Sequence, residues 1–283
     1  GMTSFDIIRF LKRWYPNWTF GHTGVLDKPG AGVLVIACGS ATRLVEYYLK
    51  DKKYVIEVTF GITTDTHDAT GKIISNHLAD TPIFSREQVE AVLQRFRGTI
   101  VQVPPRYSAK KTGGAKAYQL ARKGVEFSLS PQEVTIYDLS LLDLTEGKPQ
   151  RAKMEIYCTT GTYMRALARD IGEQLGCGAY LSFLVRTYAF PFSLEECVTL
   201  EEIMESGGIR NLIRPMDVGL ADFPKLTLSE SETRSILHGQ KLRIRKPFSS
   251  TYCRLYSPGD RLVAIAIRVG NELHPKKVFV EGG

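Results

Sequence analysis

Among the acidic residues of this chain, Asp27 has the surroundings that most suggest chemistry. Glycines stand at 21, 24, 30 and 32 of the segment GHTGVLDKPGAG. That much glycine lets backbone approach a large ligand and holds an acid at an exposed turn. An aspartate so placed can act as an oxygen nucleophile or accept a proton. The residue types alone leave a second reading open, since aspartate is also an ordinary turn former. A further acidic group lies in GITTDTHDATG at 61–71, where Asp65, His67 and Asp68 could in principle hold a metal. Their spacing fails the calcium-loop pattern, and such residues usually shape turns. Phosphate-loop, dinucleotide-loop, HExxH and GxSxG patterns do not occur in the sequence, so ATP, NAD and zinc-hydrolase readings lose their support.

The elements that would carry these residues alternate between helix and strand without a repeat. Ser4 or Thr3 can cap a helix with Phe5, Ile8, Leu11 and Trp14 at three-residue steps. The glycine-rich loop then leads into the apolar run VLVIA at 33–37, and YVIEVTF at 54–60 alternates like a half-buried strand. Ser85 and Gln88 form a capping box ahead of a helix carrying Val89, Val92, Leu93 and Phe96 and ended by Gly98. Strand-like stretches at 133–144 and 151–158 precede a helix over 162–176, with an arginine in its first turns. This mixture, without regular strand–helix–strand alternation, predicts an α+β domain around a mixed, largely antiparallel sheet flanked by helices. The proline-bearing stretch 211–224 reads as a connection. After it, a Ser229–Glu232 capping box and short strands joined by Pro-Gly-Asp and Gly-Asn turns predict a separate β-rich module. The expected division is 2–222 and 223–283.

Composition limits the partner. The 283 residues include 37 Lys and Arg against 30 Asp and Glu, a net charge of +7. Residues 106–124 carry six basic side chains and no acid, and residues 241–254 carry five and no acid. A polyanion suits two such stretches, because each neutralised phosphate releases a condensed counterion; a solvated basic face is the plainer alternative. No apolar run approaches a membrane span. The five scattered cysteines, with no CxxC pair, fit a reducing cytoplasm better than a disulfide framework or zinc site. Gly1 ahead of Met2 reads as a remnant of tag removal, with no signal peptide after it.

Four segments give a sharper reading. GHTGVLDKPGAGVLVIACGSATRLVEYY, KKYVIEVTFGITTDTHDATG, VPPRYSAKKTGGAKAYQLARKG and GTYMRALARDIGEQLGCGAYLSFLVRT together resemble the TruB family of tRNA pseudouridine synthases, in order and over nearly the whole chain. The C-terminal module resembles the PUA-like RNA-binding domain of bacterial members. The resemblance implies isomerisation of a uridine in the TΨC loop of tRNA, at position 55, by a monomer working without cofactor or metal. It implies Asp27 as the catalytic carboxylate, His22 as an imidazole near the target nucleotide, and Tyr54 as the ring on which the extruded uracil stacks. Tyr163 and Arg165 match the substrate-contacting tyrosine and the arginine that pairs with the aspartate, and Leu184 falls where an apolar residue meets the uracil. Arg106, Lys110, Lys111, Lys116, Lys241, Arg243 and Arg245 of the two basic tracts are the candidates for RNA backbone contacts. A base taken out of its stack needs an aromatic or apolar slot, and an arginine orients a carboxylate.

Three departures from the family pattern accompany the resemblance. It starts at Met2-Thr3-Ser4, without the strand and the lysine of the usual KPxGxTS segment. Asp27-Lys28-Pro29 stands where Asp-Pro is usual, and Leu184-Val185-Arg186-Thr187 replaces Leu-Arg-Arg-Thr. A non-catalytic tRNA-binding or tRNA-folding module is the alternative of another class. An RNA-guided synthase or one acting on another RNA is a third.

Overall fold

The structure is a computed structural model and describes residues 2–27, 30–108, 110–244 and 248–280. The chain divides into two compact units. The first comprises 1–3, 25–34 and 50–197; the second comprises 4–24, 35–49 and 198–283. The expected boundary after residue 222 lies within the second unit, because the helix near the N-terminus and residues 35–49 group with the C-terminal part.

The first unit is built on a seven-stranded sheet. Its strands run in the order Phe192–Ser193, Ala179–Ala189, Lys52–Phe60, Arg151–Cys158, Gln132–Leu144 and Gly98–Gln102. These pairings are all antiparallel, while Ala31–Gly32 adds parallel to Ala179–Ala189, so the sheet is mixed and largely antiparallel as expected. The alternation read over 54–60 is real: Tyr54, Ile56, Val58 and Phe60 face the core, and Lys53, Val55 and Glu57 are less covered. The same core takes Met154 and Ile156 from the neighbouring strand, Val89 and Leu93 from the helix Arg86–Leu93, and Leu167 and Ile171 from the helix Met164–Gln174. Full burial of each such side chain contributes about 1.5–3 kcal/mol. The capping box at Ser85 forms as predicted, with its hydroxyl accepting from the Gln88 amide and the Gln88 side chain accepting from the Ser85 amide.

The second unit begins with the helix Ser4–Trp14. Of the stripe expected on it Leu11 is buried, but Phe5 and Trp14 are exposed, and Ile7 and Phe10 join Leu11 against Ile203, Ile209 and their neighbours. Three-residue steps drift around a helix of 3.6 residues per turn, so they do not stay on one buried face. The strand Phe20–His22 pairs antiparallel with Ile36–Cys38. The run 33–37 is therefore not one element: Val33 is fully buried in the first unit and Ile36 begins a strand in the second. Over 225–278 a five-stranded sheet forms with the helix Glu230–Leu237, whose predicted capping box at Ser229 is present. Arg254 pairs with Asp217 at 3.0 Å and donates to the Phe223 carbonyl. Among the described residues no helix is long and apolar enough to cross a membrane.

Candidate active site

Two glycines shape the turn that presents Asp27. The Gly30 amide donates to the Asp27 carbonyl at 2.6 Å. A β-carbon on Gly30 would sit 2.8 Å from that carbonyl oxygen and 3.0 Å from a methyl of Leu184. Gly32 has φ of +102° and lies so close to Arg186 that a β-carbon would fall far inside contact distance of the Arg186 carbonyl. Only glycine meets both demands there. The Asp27 turn is thus pressed onto the strand Ala179–Ala189, with Ala31 opposite Val185 and Gly32 opposite Arg186.

Arg165 reaches Asp27 from the first turn of the helix Met164–Gln174. Its Nε and Nη2 both donate to Asp27 Oδ2, at 2.9 and 2.6 Å. Nη2 also donates to the Tyr107 carbonyl at 3.0 Å, and Nη1 to the Thr66 carbonyl at 3.3 Å. A cation in a first helical turn opposes the helix dipole, and this helix has no acidic residue there. Acids from outside the helix offset the opposition. Besides Asp27, the buried Asp68 places Oδ2 3.6 Å from Arg165 Nη1. Asp68 Oδ1 in turn accepts from the Thr66 hydroxyl and from the Thr70 amide and hydroxyl. The arrangement is unequal: the side chains of Arg165 and Asp68 are 5% and 4% exposed, whereas that of Asp27 is 42% exposed. One carboxylate completes a buried structure and the other faces solvent.

Tyr54 and Leu184 lie beside the turn, on adjacent strands and in one apolar cluster with Leu26. They are 7% and 6% exposed, so the expected uracil slot is closed in this state. Burial pushes the Tyr54 phenol up to about 12, which keeps it a neutral hydroxyl at physiological pH. Tyr163 precedes the arginine helix and is half-buried. Burial, with Asp27 nearby, also raises its phenol. The buried Gln102 fixes its backbone by accepting from the Tyr163 amide at 2.8 Å and donating to its carbonyl at 3.2 Å. The first unit therefore gathers Asp27, Tyr54, Tyr163, Arg165 and Leu184. His22 belongs to the second unit, at the end of the strand Phe20–His22 opposite Ile36.

The basic candidates divide by what they already bind. Arg106 donates to the Val125 carbonyl and lies over the Phe127 ring. Lys110 donates to the Ser130 carbonyl and the Gln132 side chain. Lys116 and Arg122 stand over the Tyr118 ring, at 5.9 and 5.5 Å from its centroid. Lys241 and Arg243 are exposed. The Lys111 side chain and Arg245 lie outside the described residues, as do Lys28 and Pro29 beside Asp27. Among the described residues no three His, Cys, Asp or Glu side chains cluster closely enough to hold a metal.

Sequence reasoning missed three residues that build this site: Asp68, Gln102 and Arg186. Asp68 had a signal, an acid in a turn rich in threonine, but that turn could not reveal an arginine on a distant helix. Gln102 had none.

The chain also resembles known proteins. Residues 12–164 match the N-terminal domain of TruB family pseudouridylate synthases, 165–221 a C-terminal domain of tRNA pseudouridylate synthase B, and 224–279 the C-terminal region of pseudouridine synthase II TruB. The chain is 39% identical over 280 residues to tRNA pseudouridine synthase B of Caldanaerobacter subterraneus, covering 99% of this chain and 95% of the relative. With the protein of the same name from Symbiobacterium thermophilum it is 44% identical over 246 residues, covering 87% and 81%. Among solved structures, an H/ACA ribonucleoprotein bound to a substrate RNA containing 2′-deoxyuridine aligns with TM-score 0.72 at 22% identity, over 99% of this chain and 82% of that one. A Cbf5–Nop10–Gar1 complex aligns with TM-score 0.72 at 24% identity, with the same coverage. These two likenesses concern the fold alone. The sequence matches extend from residue 12 to 279 and include every residue of the Asp27 site, and on that ground the chain belongs to the TruB family of pseudouridylate synthases.

Proposed function

We propose that the protein is a tRNA pseudouridine synthase that isomerises a uridine of the TΨC loop, conventionally position 55, with Asp27 as its catalytic carboxylate. The observation that carries the reading is the solvent-facing Asp27 held by the buried Arg165 beside Tyr54 and Leu184. The names of relatives at 39 and 44% identity over most of the chain support the same activity.

The reaction breaks the bond from ribose C1′ to uracil N1, turns the base, and forms a bond from C1′ to C5. The C5 proton leaves and N1 regains one, so nothing is gained or lost overall. An oriented carboxylate can attack the nucleoside or take a proton during this exchange. The fork from Arg165 fixes where its oxygens point. Tyr54 and Leu184 offer an aromatic and an aliphatic surface to replace the stacking that the extruded base loses. Because both are nearly covered, entry of the base requires the slot to open. His22 is assigned to the target loop and Tyr163 to the substrate. Lys116, Lys241 and Arg243, together with Arg106, Lys110, Lys111 and Arg245, are assigned to the RNA backbone. In this reading residues 223–283 form an RNA-binding module and the protein acts as a monomer in the cytoplasm.

The test uses fully unmodified tRNA and the same tRNA with cytidine at position 55. Pseudouridine should appear at that position in the first and nowhere in the second. Tight, salt-sensitive binding of both without product would favour a non-catalytic tRNA-binding protein. Product at another site would shift the assignment to a different uridine.

A further inference from the structure

We propose that Arg186 is a positioning residue for the reaction, its guanidinium tying both flanks of the Asp27 turn into one unit. This rests on Asp27 being the catalytic carboxylate. Arg186 is 1% exposed, and its side chain ranks among the largest that are fully buried. Its Nε donates to the Val33 carbonyl at 2.7 Å, and Nη1 donates to the Val25 carbonyl at 3.2 Å. These carbonyls lie on opposite sides of Asp27. Tyr54 is the residue directly opposite Arg186 on the neighbouring strand, and the charge of the guanidinium partly offsets the effect of burial on the Tyr54 phenol. The main chain repeats the connection: the Val33 amide donates to the Arg186 carbonyl at 2.8 Å, and Gly32 pairs with Arg186 at a distance only glycine tolerates.

Packing alone does not call for a guanidinium here. Burying a cation carries a desolvation cost, and an apolar side chain of similar volume is often as stable or more so. What the guanidinium adds is a rigid set of directed donors. Arg165 and Arg186 therefore act on different parts of one residue's setting: Arg165 holds the carboxylate of Asp27, and Arg186 holds the backbone that carries it. A turn held at only one of these points can shift, and a displacement of about 1 Å from reactive geometry costs about 100-fold in rate.

Arg186→Met keeps most of the stem and removes the donors; Arg186→Lys keeps the charge and removes the fork. The experiment measures single-turnover conversion of unmodified tRNA at saturating protein, tRNA affinity by filter binding, and thermal unfolding, all on the full chain. The expected result for Arg186→Met is a rate about 100-fold below wild type with Kd changed less than threefold, at a temperature well below its unfolding transition. A purely structural role would leave the rate per folded, tRNA-bound molecule at the wild-type value, and that result overturns the proposal. So does a loss that appears equally in Kd. Should Arg186→Met not fold, Arg186→Lys decides: a slowed rate with wild-type affinity supports the proposal and a wild-type rate refutes it. Asp27→Asn runs alongside. If it converts tRNA at the wild-type rate, the underlying assignment of Asp27 fails, whereas an inactive Asp27→Asn with a fast Arg186→Met removes the positioning role alone.

Discussion

The cations around Asp27 and those of the basic tracts differ in what surrounds them. Arg165 and Arg186 are almost fully buried and bond to named acceptors, whereas Lys116, Arg122, Lys241 and Arg243 lie partly or wholly in solvent. A buried, fully bonded arginine acts through direction, so losing it leaves partners without bonds and changes one geometry sharply. An exposed cation acts through counterion release, and its loss weakens binding by a small and salt-dependent amount. The contrast also exists within the tracts. Arg254 is paired with Asp217 and also donates to the Phe223 carbonyl, so the charge that sequence counts in the second tract exceeds the charge available to RNA.

The largest effect should follow from the acid itself, since loss of a catalytic carboxylate or nucleophile costs roughly ten-thousandfold or more in rate. Asp27→Asn is expected to fall in that range. Arg165→Met comes next and touches stability as well, because Asp68 would remain buried and lose its cation. Breaking such a pair costs about 3–5 kcal/mol, readable as a lower urea midpoint. An unchanged midpoint would make Arg165 as dispensable as an exposed cation and erase the contrast.

Lys52 sharpens it from the other side. It is buried on the central strand, donates to the Thr160 hydroxyl at 3.1 Å, and has its amine lowered to about 8, first by burial and then by the nearby Arg186. A folded-state value below the lysine reference of 10.5 means that the folded protein disfavours the proton. The penalty is complete below pH 8. From pH 8 to 10.5 the unfolded chain binds more protons than the folded one, so this contribution to stability rises with pH. Lys52→Met should be more stable than wild type at pH 7 by about 2 kcal/mol, after allowing about 1 kcal/mol for the lost hydrogen bond. The advantage should shrink above pH 8. Thermal unfolding at pH 7 and pH 9.5 checks both sign and window.

The smallest single effects belong to the tracts. Lys116→Ala should lower tRNA affinity severalfold and reduce the slope of log K against log salt by somewhat less than one, as expected for one phosphate contact. Arg254→Ala should lower stability, because Asp217 loses its cation and keeps only the Tyr256 hydroxyl, while leaving that slope unchanged. Equal slope changes in the two variants would mean that committed and solvent-facing cations serve RNA alike.

What could be read from the sequence follows the same division. Local rules gave the capping boxes at Ser85 and Ser229 and the alternating strand at 54–60, because each depends on near neighbours in the chain, while the mixed sheet followed from the lack of regular strand–helix–strand alternation. Resemblance supplied Asp27, Tyr54, Tyr163, Arg165 and Leu184, which the first unit does bring together. The buried network behind them was not legible. Asp68 looked like a turn residue, Gln102 carried no signal, and Arg186 stood only as part of an altered motif, since their partners come from strands and helices far apart in sequence. The face of the first helix was misjudged for a simpler reason, that three-residue spacing drifts off a 3.6-residue helix.

The central claim is that a solvent-facing carboxylate, fixed by buried arginines, performs the isomerisation. The most direct measurement is single-turnover formation of pseudouridine by Asp27→Asn with tRNA fully bound, read on the same sample as its binding isotherm. Wild-type occupancy of tRNA is expected, with no product on the timescale of wild-type turnover. Product formed by the bound variant at the wild-type rate would contradict it.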